Sequence, residues 1–173
     1  MTQELLNLRT SILEGRYPEA LAIVDELEGM SKQAILRNIQ SYLIILLIHL
    51  IKNQVEKRLT GAWATSIRQS IREIKKLNIK ENKKYYYINP DEWNNLIESE
   101  IIDDAIADAS EEVLNGAYSQ FQLYELLNRT QIIDNAVTLL NLTYSHPAKE
   151  LPTAIANILI QLPGGQEWIE RQK

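Results

Sequence analysis

Tyr42-Leu43-Ile44-Ile45-Leu46-Leu47-Ile48-His49-Leu50-Ile51 is the stretch on which the fold turns. A helix built from it is hydrophobic on every side. Its ten residues fall well short of the ~20 that a membrane span requires. An all-round apolar helix of that length reads as the buried central helix of a bundle, here expected to run from about Lys32 to Lys57. Thr60-Gly61 then makes a short turn, after which Trp63, Ile67, Ile71 and Ile74 recur at the i, i+4, i+8, i+11 spacing of one helical face. Two long helices joined by so few residues pack antiparallel. The expected fold class is all-α, a multi-helix bundle built on a long antiparallel helical hairpin.

Working outward toward the N-terminus, Leu5, Leu8 and Ile12 mark an inward face of a helix that stops at Gly15. Pro18, tolerated in a first turn, opens a second with Ala20, Ile23, Val24 and Leu27 inward. Gly29 is expected to end it and Ser31 to cap the next. Toward the C-terminus, a connector rich in lysine and tyrosine runs from about Asn78 to Ile88. Asn89-Pro90-Asp91-Glu92 follows with an N-cap, an N1 proline and a capping-box glutamate. The acidic helix it opens should reach Gly116, with a break near Ile102. Ser119 and Gln122 form a second capping box, opening one segment with Leu126, Ile133, Ala136, Val137, Leu140 and Tyr144 that Pro147 ends. A last helix is expected from about Pro152 to Gln161, with Pro163-Gly164-Gly165 ending it and Trp168 in a short tail. Strand signals are nearly absent, and no repeat of solenoid period is visible. The domain reading is 1–146 as an all-α helical domain and 147–173 as a C-terminal helical extension.

The 173 residues are 45 % hydrophobic and 24 % charged, an ordinary globular balance. The absence of cysteine excludes disulfides, thiolate metal sites and cysteine nucleophiles, and fits a reducing cytoplasm. Asn128-Arg129-Thr130 and Asn141-Leu142-Thr143 are then accidental sequons. Met1-Thr2-Gln3-Glu4 lacks the basic and apolar regions of a secretory signal. The net charge of −5 hides a polarity: residues 1–84 carry 14 basic and 9 acidic groups, residues 85–173 carry 4 and 14. The two parts are thus +5 and −10.

Candidate chemistry is sparse. His49 lies in the apolar helix without a carboxylate within four residues, the setting of a packed core histidine. His146 precedes Pro147 at a helix end. Seven carboxylates fall between Glu98 and Glu112, and Glu100, Asp104, Asp108 and Glu111 share a helical stripe. Asp104, Asp108 and Glu111 are the candidate metal ligands, since bundle carboxylates hold Mg²⁺ or Mn²⁺ in all-α nucleotide hydrolases. The competing reading is a solvated acidic face, or one turned toward the basic segment. That segment, Lys52 to Lys84, carries 10 basic and 3 acidic residues. Arg68, Arg72, Lys75 and Lys76 form a stripe beside an apolar face, and Lys80, Lys83 and Lys84 continue it. With Tyr85, Tyr86 and Tyr87 as stacking platforms, they are the candidate nucleic-acid or interaction residues. There is no phosphate-cradling glycine loop, no Gly-x-Ser-x-Gly elbow and no His-Glu-x-x-His helix, and neither a catalytic residue nor a cofactor is assigned.

Several of these blocks resemble a known family. They are Leu13-Glu14-Gly15-Arg16-Tyr17, Val24-Asp25-Glu26-Leu27-Glu28-Gly29-Met30-Ser31, Leu46-Leu47-Ile48-His49-Leu50-Ile51-Lys52 and Trp63-Ala64-Thr65-Ser66-Ile67-Arg68, with Ile71 beyond them. Asp104-Ala105-Ile106-Ala107-Asp108-Ala109 and Asp134-Asn135-Ala136 also fit. Together they are similar to the bacterial domain of unknown function numbered twenty-nine, over roughly Leu6 to Tyr144. The resemblance implies an all-α bundle of unassigned activity. Family members usually carry an aromatic and a proline where this chain has Asn53-Gln54-Val55-Glu56-Lys57. Three functions stay open: an interaction module binding a protein partner or itself, a nucleic-acid-binding accessory using the basic segment, and a metal-dependent nucleotide hydrolase using the acidic helix. No membrane association is expected.

Overall fold

The structure, a computed structural model, describes residues 1–80 and 84–172, and the regular elements among them are helices. The protein is all-α. It divides into two compact units, 1–38 and 39–173, and the division falls inside the longest helix.

In the first unit, α1 spans Gln3–Leu13 and is capped by Thr2, whose hydroxyl accepts from the Leu5 N–H at 3.4 Å. Gly15 then turns the chain with φ of +73°, a conformation open to glycine because it lacks Cβ. Helix α2 starts at Tyr17 with Pro18 in its first turn and continues to Glu56, a run of 40 residues. Gly29 therefore does not end a helix, and Ser31 does not cap one. A helix-interior glycine costs only ~1 kcal/mol relative to alanine, too little to stop so long a helix. The apolar window also sits in a longer apolar context than ten residues suggest. By length and composition α2 could cross a membrane, with a mean hydropathy of 1.7 over its most apolar stretch, 39 % of which is buried.

The second unit holds the core. The C-terminal part of α2 buries Leu43, Leu46, Leu47, Leu50 and Ile51. Thr60 caps α3, Gly61–Leu77, which buries Trp63, Ile67, Ile71 and Ile74 as the spacing requires. Among the described residues of the connector, Ile79 and Tyr86 form an antiparallel bridge, with the Lys80 N–H donating to the Tyr85 carbonyl at 2.8 Å and the Tyr87 N–H to the Asn78 carbonyl at 3.0 Å. At Asn89 the capping box is present: the Glu92 carboxylate accepts from the Asn89 backbone N–H at 2.9 Å. A 3₁₀ turn leads into α4, Trp93–Leu96, then a π-helical turn at Ile97–Ile101, then α5, Ile102–Ser110. This wide turn is the break expected near Ile102. It shifts the helical phase so that Ile97, Ile101, Ile102, Ala105 and Ile106 are all buried.

The segment expected to run unbroken from Ser119 is two helices, α6 at Gln120–Leu126 and α7 at Arg129–Ser145. Leu127 is extended, and the Asn128 side chain caps α7 by accepting from the Gln131 N–H at 3.1 Å. Helix α8, Leu151–Leu159, follows, and α3 packs on both α7 and α8. The tail is in fact a short helix, α9 at Gly165–Glu170, which buries Trp168.

Candidate interaction surfaces

The first unit contains few buried side chains: among its residues Ser11 and Ala20 are buried, both small. Leu8, Ile23, Leu27, Ile35 and Leu36 are half-buried, and its other large apolar residues face solvent. Leu5, Leu6, Ile12, Leu13, Tyr17, Leu21, Val24 and Met30 are between 42 and 75 % exposed. The sequence placed Leu5, Ile12 and Val24 inward, and that burial does not occur. Two helices within 38 residues enclose too little volume to cover their own apolar faces. Polar contacts at the turn are local, with Arg16 pairing with Glu14 at 2.8 Å and with Glu19.

The basic stripe lies on α3, where its residues make mainly local contacts. The Arg68 guanidinium donates to Thr65 Oγ1 at 3.3 Å, and Arg72 and Lys76 approach Glu73 at 3.9 and 3.4 Å. The Lys75 ammonium donates to the Thr143 carbonyl at 2.7 Å and so tethers α3 to α7. Of the tyrosines, Tyr85 is exposed, while Tyr86 sets its ring edge-on to Tyr144 with centroids 4.6 Å apart. Lys83 falls outside the described residues.

Asp104, Asp108 and Glu111 are exposed on and after α5. Among the described residues, no three His, Cys, Asp or Glu side chains come together as a set that could hold a metal ion. A contact between the acidic and basic segments does exist at Lys52, whose ammonium meets Glu112 at 3.2 Å and also lies 4.9 Å from the centre of the Trp63 ring. The Arg58 guanidinium sits 4.8 Å from the same ring, and the indole itself is buried.

His49 is half-buried and hydrogen-bonded to its own helix. Its Nδ1–H donates to the Ile45 carbonyl one turn back, at 2.8 Å. Burial pushes its pKa below the ordinary histidine range, opposed by that hydrogen bond. The unfolded chain therefore binds the proton more readily, so the stability His49 contributes is present above about pH 6.5 and is lost as pH falls. His49→Leu should leave stability near neutral pH within about 1.5 kcal/mol of wild type and make it less sensitive to acid. Urea denaturation between about pH 5 and 8 reads both. A loss above about 3 kcal/mol at neutral pH would show instead that the imidazole completes a buried polar network.

Two polar anchors were missed in the sequence. Asn53, buried, donates from Nδ2 to the Arg58 carbonyl at 3.0 Å and to the Pro163 carbonyl at 2.7 Å. Gln54 reaches the break between α6 and α7, accepting from the Asn128 N–H at 2.9 Å and donating to its carbonyl at 3.1 Å. Both side chains hold neighbouring segments of the second unit together. The signal available was an asparagine and a glutamine immediately after an apolar helix, too common a pattern to single out.

A family profile described as domain of unknown function DUF29 matches residues 19–135. Comparison with curated proteins finds no match, and neither does comparison with solved structures.

Proposed function

The chain belongs to the DUF29 family, and from that premise we propose that it is a non-enzymatic interaction module that works by docking its N-terminal helices on a protein surface, first of all on a second copy of itself. The observation that carries this reading is the unpartnered apolar surface of the first unit. Monomeric proteins rarely expose large contiguous apolar patches, and those that do use them for contact. Eight large side chains on two neighbouring helices can supply much of the ~800 Å² per partner that a specific interface buries. An isologous pairing of two such units makes a closed dimer with a four-helix core. The antiparallel stem of α2 and α3 and the C-terminal extension from residue 147 serve as support in this reading. Its setting is the cytoplasm, without membrane insertion of α2.

The nucleic-acid reading has less support, because Lys75 is tethered to a carbonyl and Tyr86 is packed against Tyr144. The hydrolase reading has less still, since the carboxylates on which it depends are spread over an exposed surface.

Leu13→Ser with Leu21→Ser tests the proposal. Both side chains are exposed, so the variant should fold with unchanged helicity while its dimer affinity drops at least tenfold. Sedimentation equilibrium up to about 100 µM reads the change. A wild-type chain that stays monomeric throughout, or a variant that dimerises as well as wild type, would overturn self-docking through this surface.

A further inference from the structure

Two features of the unit 39–173 complement each other chemically. One is a projecting ring with an acidic rim. Phe121 stands in the first turn of α6 and is 73 % exposed. The backbone beneath it is fixed by the Ser119–Gln122 capping box, with bonds of 2.9 and 3.2 Å. Across an open cavity of about 490 Å³ lie Asp103 and Asp104 in the first turn of α5. Both are exposed, and neither has a hydrogen-bond or ion-pair partner among the described residues. The other feature is a socket of about 250 Å³ beside α3. Ile79, Tyr86 and Ala148 give it apolar lining, and Arg72, Lys75 and Lys76 line it as well. Arg72 and Lys76 pair with Glu73 on their own helix, at distances typical of weak exposed pairs that exchange readily.

We propose that the socket of one copy receives Phe121 of a second copy, with Asp103 and Asp104 opposite Arg72 and Lys76. The match operates at two levels, an aromatic ring against apolar lining and carboxylates against cations. A buried phenylalanine removes ~150–250 Å² from water, which supplies attraction that charge alone does not. The +5 and −10 halves of the chain orient the approach of one copy toward another. Knob and socket are different surfaces, so the contact is heterologous and propagates head to tail instead of closing by a two-fold axis. It is independent of the docking proposed for the first unit.

The test is made in the full chain carrying Leu13→Ser and Leu21→Ser, so that any N-terminal dimer is removed and only this contact is read. Sedimentation velocity at about 50 mM salt should show concentration-dependent association. It should weaken at least tenfold at about 500 mM, where the Debye length shrinks from over 10 Å to a few ångströms. Adding Phe121→Ser should weaken it at least tenfold, without loss of helicity because the ring is solvent-facing. Asp103→Lys with Asp104→Lys should give monomers, as should Arg72→Glu with Lys76→Glu. An equimolar mixture of these two charge-reversed chains should associate again, in alternation, because each then offers what the other's socket or knob requires. The proposal is overturned if the parent chain is monomeric at low salt, if either reversed chain associates like the parent, or if the mixture stays monomeric. Arg72→Gln with Lys76→Gln, which removes charge without reversing it, replaces the glutamate variant should that one fail to fold.

Discussion

Trp93→Ala should destabilise the protein by about 3–5 kcal/mol, the range for truncating a large buried aromatic. Trp93 is fully buried at the start of α4. Its Nε1–H donates to the Tyr144 hydroxyl oxygen at 2.6 Å, and the Tyr144 O–H donates to the Ile88 carbonyl at 2.6 Å. Asn78, also buried, donates to that carbonyl at 2.8 Å and to the Tyr144 oxygen at 3.1 Å, and accepts from the Ile88 N–H at 2.8 Å. Polar groups of four residues, from the end of α3, the connector, α4 and α7, thus satisfy one another. Alanine at 93 opens a cavity and takes a donor from the network. Trp93→Phe keeps most of the ring volume, so its smaller loss isolates the hydrogen bond, about 1 kcal/mol. Urea denaturation of both variants reads the two contributions. A loss under about 1 kcal/mol for the alanine variant would mean that the connector does not depend on this network.

The same network sets an alkaline limit. Burial pushes the Tyr144 phenol up to about 12, against hydrogen bonds from Trp93 and Asn78 that favour its ionised form. The unfolded tyrosine loses its proton near pH 10. Between those values the folded chain holds a proton that the unfolded chain has released, so stability falls as pH rises from about 10 toward 12. Tyr144→Phe should remove that part of the decline, read by denaturant midpoints across the alkaline range.

Gly165→Ala is expected to be comparably severe, at least about 2–3 kcal/mol and the upper end of what overpacking costs. A methyl group built on Gly165 would meet the carbonyl oxygens of Leu159 and Ile160, the latter at 2.5 Å. These are backbone atoms at the end of α8, and they cannot swing aside as a flexible side chain can. The neighbouring Gly164 has φ of +73° and would bring its Cβ within 2.6 Å of Arg58 Cα, so the turn into α9 lies directly against the α2–α3 link. Asn53 closes that junction by bonding the carbonyls of both Arg58 and Pro163. Gly29→Ala is the contrasting substitution. Its Cβ would meet nothing within 4 Å inside a helix, so it should gain up to about 1 kcal/mol. Thermal denaturation of the two variants should move in opposite directions. Equal shifts would contradict the packing at Gly165.

Local physics along the chain determined the helix class, most helix ends and the buried faces of the second unit. The capping boxes at Asn89 and Ser119 are readable because their bonds span three residues and need no distant partner. The stripe Trp63, Ile67, Ile71, Ile74 is buried because its 3.6-residue period fits one side of a helix wherever that helix packs. Of the candidate surfaces, the sequence supplied the residues of the basic stripe and of the acidic helix but not their surroundings. Whether Gly29 stops a helix depends on a difference of about 1 kcal/mol, which the rest of a 40-residue helix outweighs. Whether Leu5, Ile12 and Val24 are buried depends on how much surface lies opposite them, and an amphipathic period reads the same with or without a partner. The network of Asn78, Ile88, Trp93 and Tyr144 joins positions up to 66 residues apart, and the socket beside Arg72 and Lys76 is bounded by residues from α3, the connector, α7 and the turn before α8. Such features are set by three-dimensional proximity, which depends on the packing of several helices at once, and no local pattern of residues encodes it.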